Sequence, residues 1–304
     1  MNTCLSLNAA QTAVALPYLA LAQAIEDLLG DPSVVVPARL VQALPGGASL
    51  FVMPAHDAQL AITKLITFVA DNPAHGLAAI QGEVVVFDVR TGRKLASLDG
   101  PTVTARRTAA VSLLAAQRLA PVRQGPLLIV GAGVQGRAHL EAFHEGLGIE
   151  QVWIASRSPT SAQALALHAR SLGMQANTVE DANTALANCP LVVSCTPAQG
   201  AVLTAQPRQD AFVAAVGAFS PHMVEWAPEV CATIAGQGQI VVDTRDADHE
   251  AGDLLQAGID VACLPTLAEA ILRPPRDAAS GPVFFKSCGW AGWDLAAARC
   301  LVKA

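Results

Sequence analysis

Six residues near the middle of the chain, Gly131-Ala132-Gly133-Val134-Gln135-Gly136, place glycines at the first, third and sixth positions of a turn. That spacing suits a loop that cradles a pyrophosphate. The first glycine permits the tight turn, the second lets the backbone approach the phosphates, and the third lets a helix pack on a strand. The free N–H groups and positive end of the following helix would face the anion. Context separates this from any glycine-rich stretch: Leu127-Leu128-Ile129-Val130 reads as a buried strand ahead of it, and helical spacing continues through 138–146. The competing reading is an ordinary glycine-rich turn between strand and helix.

The residues after the next strand select the dinucleotide. Where an NAD site carries Asp or Glu for the ribose 2′-hydroxyl, Val152-Trp153-Ile154-Ala155 ends in Ser156-Arg157-Ser158. No carboxylate is there to repel a 2′-phosphate, and a guanidinium between hydroxyls suits a phosphate dianion. NADPH is therefore expected over NADH, the alternative being a solvated loop arginine. Cys195-Thr196-Pro197 ends a later strand, where a doubly wound sheet opens its ligand crevice. Upstream, Arg39 and Arg107 are candidates for an anionic substrate, and Lys64 sits in Thr63-Lys64-Leu65-Ile66-Thr67-Phe68. A lysine in so apolar a run either snorkels from an edge strand or is held in a cleft with a depressed pKa, as an acid or base requires.

The elements that must position these residues fall into two textures. Residues 9–29 are helical with Pro17 as an interruption, and short β-like runs follow at 34–36, 48–53, 61–69, 83–89 and 94–98. Arg90-Thr91-Gly92-Arg93 reads as the turn of a hairpin. A long helix spans 103–120. From Gly125 strands and helices alternate: strands at 127–130, 151–155, 176–179, 191–195, 212–216 and 240–243, with helices at 136–146, 161–172 and 181–187. Thr266-Leu267-Ala268-Glu269 is a capping box opening another helix, and 284–302 contains a glycine loop and a last helix. The fold class is α/β: a Rossmann-type doubly wound parallel sheet at 121–283, inserted in a mixed α+β domain built from 1–120 and 284–304.

A formal charge of −6 argues against nucleic acid or anionic membrane as a partner. There is no uninterrupted apolar run of about 18 residues, and residues 1–10 lack a basic region leading into an apolar core. The seven scattered cysteines have no metal-ligand spacing and read as buried thiols in a reducing cytoplasm. A cytoplasmic location is expected. No metal is expected either: the acidic run Asp243 to Glu250 reads as a solvated loop and helix start, and His139 and His144 share no helix face. His75 and His222 read as loop residues, and no G-x-S-x-G supports a hydrolase.

Over nearly its whole length the sequence resembles the ornithine cyclodeaminase/mu-crystallin family. The residues that carry the resemblance are Pro37-Ala38-Arg39, Met53-Pro54, Lys64, Asp71-Asn72-Pro73, Phe87-Asp88, Thr91-Gly92, Asp99-Gly100, Thr104 and Arg107-Thr108-Ala109-Ala110. Further along they are Gly131 to Gln135, Gly217-Ala218, Glu225, Lys286-Ser287 and Gly289. The resemblance implies a homodimer with a nucleotide domain and a substrate-binding and dimerisation domain. It implies that Arg39 and Arg107 hold the carboxylate of an amino or imino acid, with Lys64 beside the reacting nitrogen. Thr108, Gly131, Gly133, Val134, Gln135, Ser156, Arg157 and Ser158 would bind cofactor phosphates and ribose, and Thr196, Val216, Gly217 and Ser287 would line the nicotinamide side.

One departure narrows the chemistry. Ornithine-cyclising members carry an aspartate two residues after the glycine of the Gly-Ala pair, but here Gly217-Ala218 is followed by Phe219. A phenylalanine neither accepts a proton nor binds an ammonium by charge, and it suits an apolar ring. The site is in this respect similar to those of family members that reduce Δ1-pyrroline-2-carboxylate or Δ1-piperideine-2-carboxylate to L-proline or L-pipecolate. On that reading C2 of the cyclic ketimine takes a hydride from NADPH while Lys64, directly or through water, supplies a proton or stabilises the charges. The alternatives are an ornithine cyclodeaminase or amino-acid dehydrogenase, disfavoured by Phe219 and Arg157, and a mu-crystallin-like NADPH-bound binding protein. Ring size stays open, since one methylene is worth only about 1–3 kcal/mol in a pocket.

Overall fold

In the computed structural model residues 4–272 and 281–303 are described, and the chain divides into two compact units, Met1–Ala110 with Trp290–Ala304, and Val111–Gly289. The first unit opens with β1 (Leu5–Leu7), α1 (Ala9–Ala15) and α2 (Tyr18–Leu29). Asn8 caps α1 in a reciprocal box with Gln11, and Pro17, which has no N–H to continue a helix, separates α1 from α2. Next come β2 (Leu40–Ala43), β3 (Ser49–His56), β4 (Leu60–Phe68), β5 (Ile80–Asp88) and β6 (Lys94–Asp99). They form a six-stranded sheet in the order β1-β6-β5-β4-β3-β2, antiparallel except that β1 runs parallel to β6. The expected hairpin joins β5 to β6: Asp88 accepts from the Thr91 N–H at 2.7 Å, and Gly92 adopts φ 69°. Helix α3 (Gly100–Leu119) begins in this unit and runs into the second.

The second unit is a seven-stranded, wholly parallel sheet with helices between its strands. In chain order it holds β7 (Leu127–Val130), α4 (Val134–Leu147), β8 (Gln151–Ala155), α5 (Pro159–Ser171), β9 (Gln175–Val179), α6 (Ala182–Leu186) and β10 (Leu191–Ser194). After these come β11 (Gln199–Leu203), β12 (Phe212–Ala215), β13 (Val224–Trp226), α7 (Pro228–Gln237) and β14 (Gln239–Val242), then α8 (Gly252–Gln256), α9 (Leu267–Leu272) and β15 (Val283–Lys286). The sheet order is β14-β15-β12-β10-β7-β8-β9, and β11 pairs with β13 in a separate two-stranded ribbon. Strands β7, β10, β12 and β15 are buried at every residue, which is why they read as continuous apolar runs. Thr266 and Glu269 form the expected capping box at α9.

The final helix, α10 (Ala291–Lys303), returns to the first unit and packs on α2, β3 and β4. Trp293, Leu295 and the alanines 296–298 are fully buried there, small side chains letting the helix lie close to the sheet.

Several expectations change. The insertion expected at 121–283 is displaced at both ends: the units divide within α3, and Phe284 to Lys286 belong to β15, second from one edge of the parallel sheet and hydrogen-bonded to β12 and β14. Positions 1–3, 273–280 and 304 of the expected domains lie outside the described residues. Residues 34–36 form only an isolated bridge, Val35 with His56. Of the cysteines, Cys4 and Cys263 are exposed and Cys195 is half-buried; the other four are buried. The acidic run is not wholly solvated, because Asp243 is buried and accepts from Ser287, Cys288 and Gly289. Among the described residues no single helix is long and apolar enough to cross a membrane.

Candidate active site

In the second unit the strand order reverses beside β7: β8 and β9 lie to one side, β10 and β12 to the other. Such a switch point opens a crevice at the carboxyl ends of the strands. Gly131, directly after β7, has φ 110°, and a Cβ there would meet Cys195 O at 2.8 Å. Its N–H donates to Ala155 O at 2.9 Å, which fastens the turn to the end of β8. At Gly136 a Cβ would lie 2.0 Å from Gly131 O, so the helix can approach the strand only without a side chain. At Gly133 a Cβ would meet nothing within 4 Å: the turn is open outward at its second glycine.

Helix α4 starts at Val134 with Gly133 as N-cap and no side-chain cap. Its first N–H groups therefore have no side-chain acceptor, and Gln135 Oε1 is buried without a hydrogen-bond partner among the described residues. Uncapped donors, a helix N-terminus and an open glycine fit a pyrophosphate. Ser156, Arg157 and Ser158 follow β8, next to that turn. Arg157 and Ser158 are exposed, and Ser158 Oγ caps α5 by accepting from Ser161 N at 3.2 Å.

Thr196, Val216, Gly217 and Ser287 follow β10, β12 and β15 on the same edge of the sheet. A fully buried glutamate, Glu225, ties two of these loops together. It accepts from Thr196 N at 2.7 Å, Thr196 Oγ1 at 3.0 Å, Gly217 N at 2.8 Å and Ser194 Oγ at 3.1 Å. Burial raises its carboxyl above the ordinary value; Asp253 adds to the rise and Lys286 opposes it. Asp253 binds the N–H groups of Glu225 and Trp226 and pairs with Lys286 Nζ at 2.6 Å, all of it buried. Burial alone would depress Lys286, but Asp253 and its other neighbours outweigh this and hold it above its ordinary value. Ser287 Oγ donates to Asp243 at 2.9 Å. Phe219 lies two residues beyond Gly217 and is 39% exposed.

In the first unit, β4 alternates so that Ile62, Lys64 and Ile66 share the buried face while Leu65 faces out. Lys64 therefore does not snorkel. It is 1% exposed, with Nζ 2.9 Å from Asp294 Oδ2 of α10. Arg107 of α3, also buried, places Nε 3.4 Å from Asp294 Oδ1. These are ion pairs by distance; the angles leave neither Asp294 oxygen with an aligned donor. Burial depresses the Lys64 ammonium to about 8; Asp294 opposes the fall, whereas Arg107 and Arg39 deepen it. Arg39 is half-buried in the segment entering β2. Thr108 adjoins Arg107, its hydroxyl donating to Thr104 O at 2.8 Å.

Asp294 had no signal in the sequence beyond a carboxylate within the apolar run Trp293-Asp294-Leu295-Ala296-Ala297. Glu225 and Lys286 matched family positions but carried no role, and Asp253 gave no signal. Their meaning lies in partners far along the chain.

The fold and the crevice define a dinucleotide-type sheet in one unit, accompanied in the other by a buried lysine–aspartate–arginine cluster. The sequence model of the ornithine cyclodeaminase/mu-crystallin family matches residues 8–303. A relative from Azospirillum brasilense, "Delta(1)-pyrroline-2-carboxylate/Delta(1)-piperideine-2-carboxylate reductase", is 36% identical over 301 residues, covering 96% of this chain and 93% of the relative. "Ketimine reductase mu-crystallin" of Rattus norvegicus is 32% identical over 274 residues, or 88% of this chain and 85% of that one. A solved structure of Thermococcus litoralis Delta(1)-pyrroline-2-carboxylate reductase, in complex with NADH and L-proline, superposes with a TM-score of 0.85 at 23% identity. That match spans 99% of this chain and 96% of the other and establishes the shared fold. The chain belongs to the ornithine cyclodeaminase/mu-crystallin family.

Proposed function

We propose that this protein reduces a cyclic imino acid, Δ1-pyrroline-2-carboxylate or Δ1-piperideine-2-carboxylate, to L-proline or L-pipecolate at the expense of NADPH. The observation that carries the reading is the buried Lys64, held near Asp294 and Arg107 and poised at about 8, in a chain 36% identical to a relative named for that reaction. A general acid works best with a pKa near the operating pH.

Arg39 and Arg107 bind the substrate carboxylate by charge-assisted hydrogen bonds, which fixes C2 for attack. Lys64 donates a proton to the ring nitrogen, and Phe219 contributes an apolar wall for the ring. The bound cofactor supplies the hydride that C2 receives. Gly131, Gly133, Val134 and Gln135, with Thr108 assisting, would hold its pyrophosphate. Ser156, Arg157 and Ser158 take the 2′-phosphate, and the nicotinamide side is lined by Thr196, Val216, Gly217 and Ser287. Preference for NADPH rests on Arg157, which is exposed just beyond β8 with serines rather than carboxylates on either side of it in sequence. We further propose that the first unit with α10 is the substrate and dimerisation domain and that the protein is a cytoplasmic homodimer. Strand β2, an edge strand with Leu40 57% and Val41 52% exposed, supports the homodimer.

Cyclodeamination of ornithine lacks its carboxylate at position 219. The test follows NADPH oxidation with each cyclic imine carboxylate and, separately, ammonia release from ornithine. Oxidation with an imine and no ammonia supports the reading; ammonia without imine turnover overturns it.

A further inference from the structure

Lys64 carries its charge in a place that opposes it. Its ammonium is buried, and the charged groups that face it are Asp294 from α10, Arg107 from α3 and Arg39 ahead of β2. Both arginines and the loss of water work against the proton. Among the described residues Asp294 works for it, with one carboxylate oxygen 2.9 Å from Lys64 Nζ and the other 3.4 Å from Arg107 Nε. Asp294 sits in the first turn of α10, fully buried, where the positive helix end favours the carboxylate over the acid.

We propose that Asp294 is the positioning residue of the reduction: it holds Lys64 in its protonated, donating form and fixes the ammonium beside the arginine that receives the substrate carboxylate. The proposal rests on the reading of Lys64 as the proton donor. The step balances with Asp294 unchanged. C2 gains the hydride, the ring nitrogen gains the Lys64 proton, and the C=N π bond becomes one C–H and one N–H bond. Lys64 is left as a neutral amine that solvent reprotonates. A neutral side chain at 294 would remove the carboxylate that faces Lys64 and Arg107, and Lys64 would then shed its proton at lower pH.

The test is the pH dependence of kcat/KM for imine reduction in the wild type, D294N and D294E, with K64M as a control on the underlying reading. In the wild type the alkaline limb lies near 8. In D294N it moves down by about one pH unit or more, so turnover at pH 8 falls about fivefold or more beyond any loss at pH 6. In D294E, which keeps the charge, the limb returns toward its wild-type place. A D294N profile lowered uniformly, with its limb unmoved, overturns the proposal, because a merely structural role does exactly that. If K64M keeps normal turnover, the donor reading itself fails. If K64M collapses while the D294N limb stays put, only the role of Asp294 fails. Should D294N not fold, the wild-type protein decides the matter: with 13C-labelled aspartate, the Asp294 carboxylate signal shifts with its midpoint at the alkaline limb. A signal flat from about pH 6 to 10 contradicts the pairing.

Discussion

Lys64 shows how a residue's meaning depends on what faces it. In sequence it had two readings, because an apolar run hides which side of a strand is covered. The alternation of β4 places it with Ile62 and Ile66 on the face under α10, and a carboxylate from the far end of the chain awaits it there. No spacing rule connects positions 64 and 294, so the pair could not be read beforehand. Replacing Lys64 by methionine, which keeps the volume and removes the proton, is expected to lower kcat for the imine by about 100-fold or more; wild-type turnover would remove Lys64 from the chemistry. Because the donor must be protonated, wild-type kcat/KM should fall as pH rises through about 8, not as pH falls. Arg157 could be singled out in the sequence from its position after the second strand, and the NADPH preference proposed on it is open to test. In R157A the KM for NADPH should rise about tenfold, the scale of one lost charge-assisted contact, while that for NADH stays unchanged. Equal rises for both would place Arg157 outside the 2′-phosphate site.

At the scale of elements, legibility followed burial. Strands β7, β8, β10 and β12 were visible because a parallel sheet covered on both faces requires apolar residues at every position. Strand β2 was not, since its four residues are all exposed at a sheet edge, and β11 and β13 are too short to show a period. Strand β15 was taken for part of the tail because it ends in a charged residue, Lys286, whose ion pair with Asp253 no local pattern reveals. The loops after β10 and β12 are joined by Glu225. In E225Q the amide must turn its NH2 toward at least one of the N–H donors it now accepts from. Stability should fall by about 1–3 kcal/mol, and cofactor affinity should weaken with it in titrations of protein fluorescence. A variant with wild-type melting and wild-type affinity would show that the two loops hold themselves. In G136A the added methyl meets Gly131 O, so the turn must open and dinucleotide affinity should drop; unchanged affinity would mean that α4 does not position the cofactor.

For the whole molecule, alternation after Gly125 disclosed the inserted sheet, whereas the unit boundaries did not follow from punctuation. Pro121 looked like a border, yet the division falls inside α3, a continuous helix with nothing in its sequence to mark a change of partners. Global stability should be sensitive to acid through His139, which is buried, bonded to Gln135 O and Ser112 Oγ, and depressed by burial to about 4. Between its unfolded value near 6.5 and about 4, the unfolded chain binds a proton that the native state excludes. Stability is therefore lost as pH falls through that window, by on the order of 3 kcal/mol. Chemical denaturation at pH 7 and pH 4.5, compared with H139Q, should show a smaller acid loss in the variant; equal losses would assign the effect elsewhere. The most direct measurement of the central claim follows NADPH absorbance as the purified protein meets Δ1-pyrroline-2-carboxylate, with chiral analysis of the product. The account predicts stoichiometric NADPH oxidation and L-proline. No oxidation with either the five- or the six-membered imine, in protein shown to be folded and to bind NADPH, would contradict it.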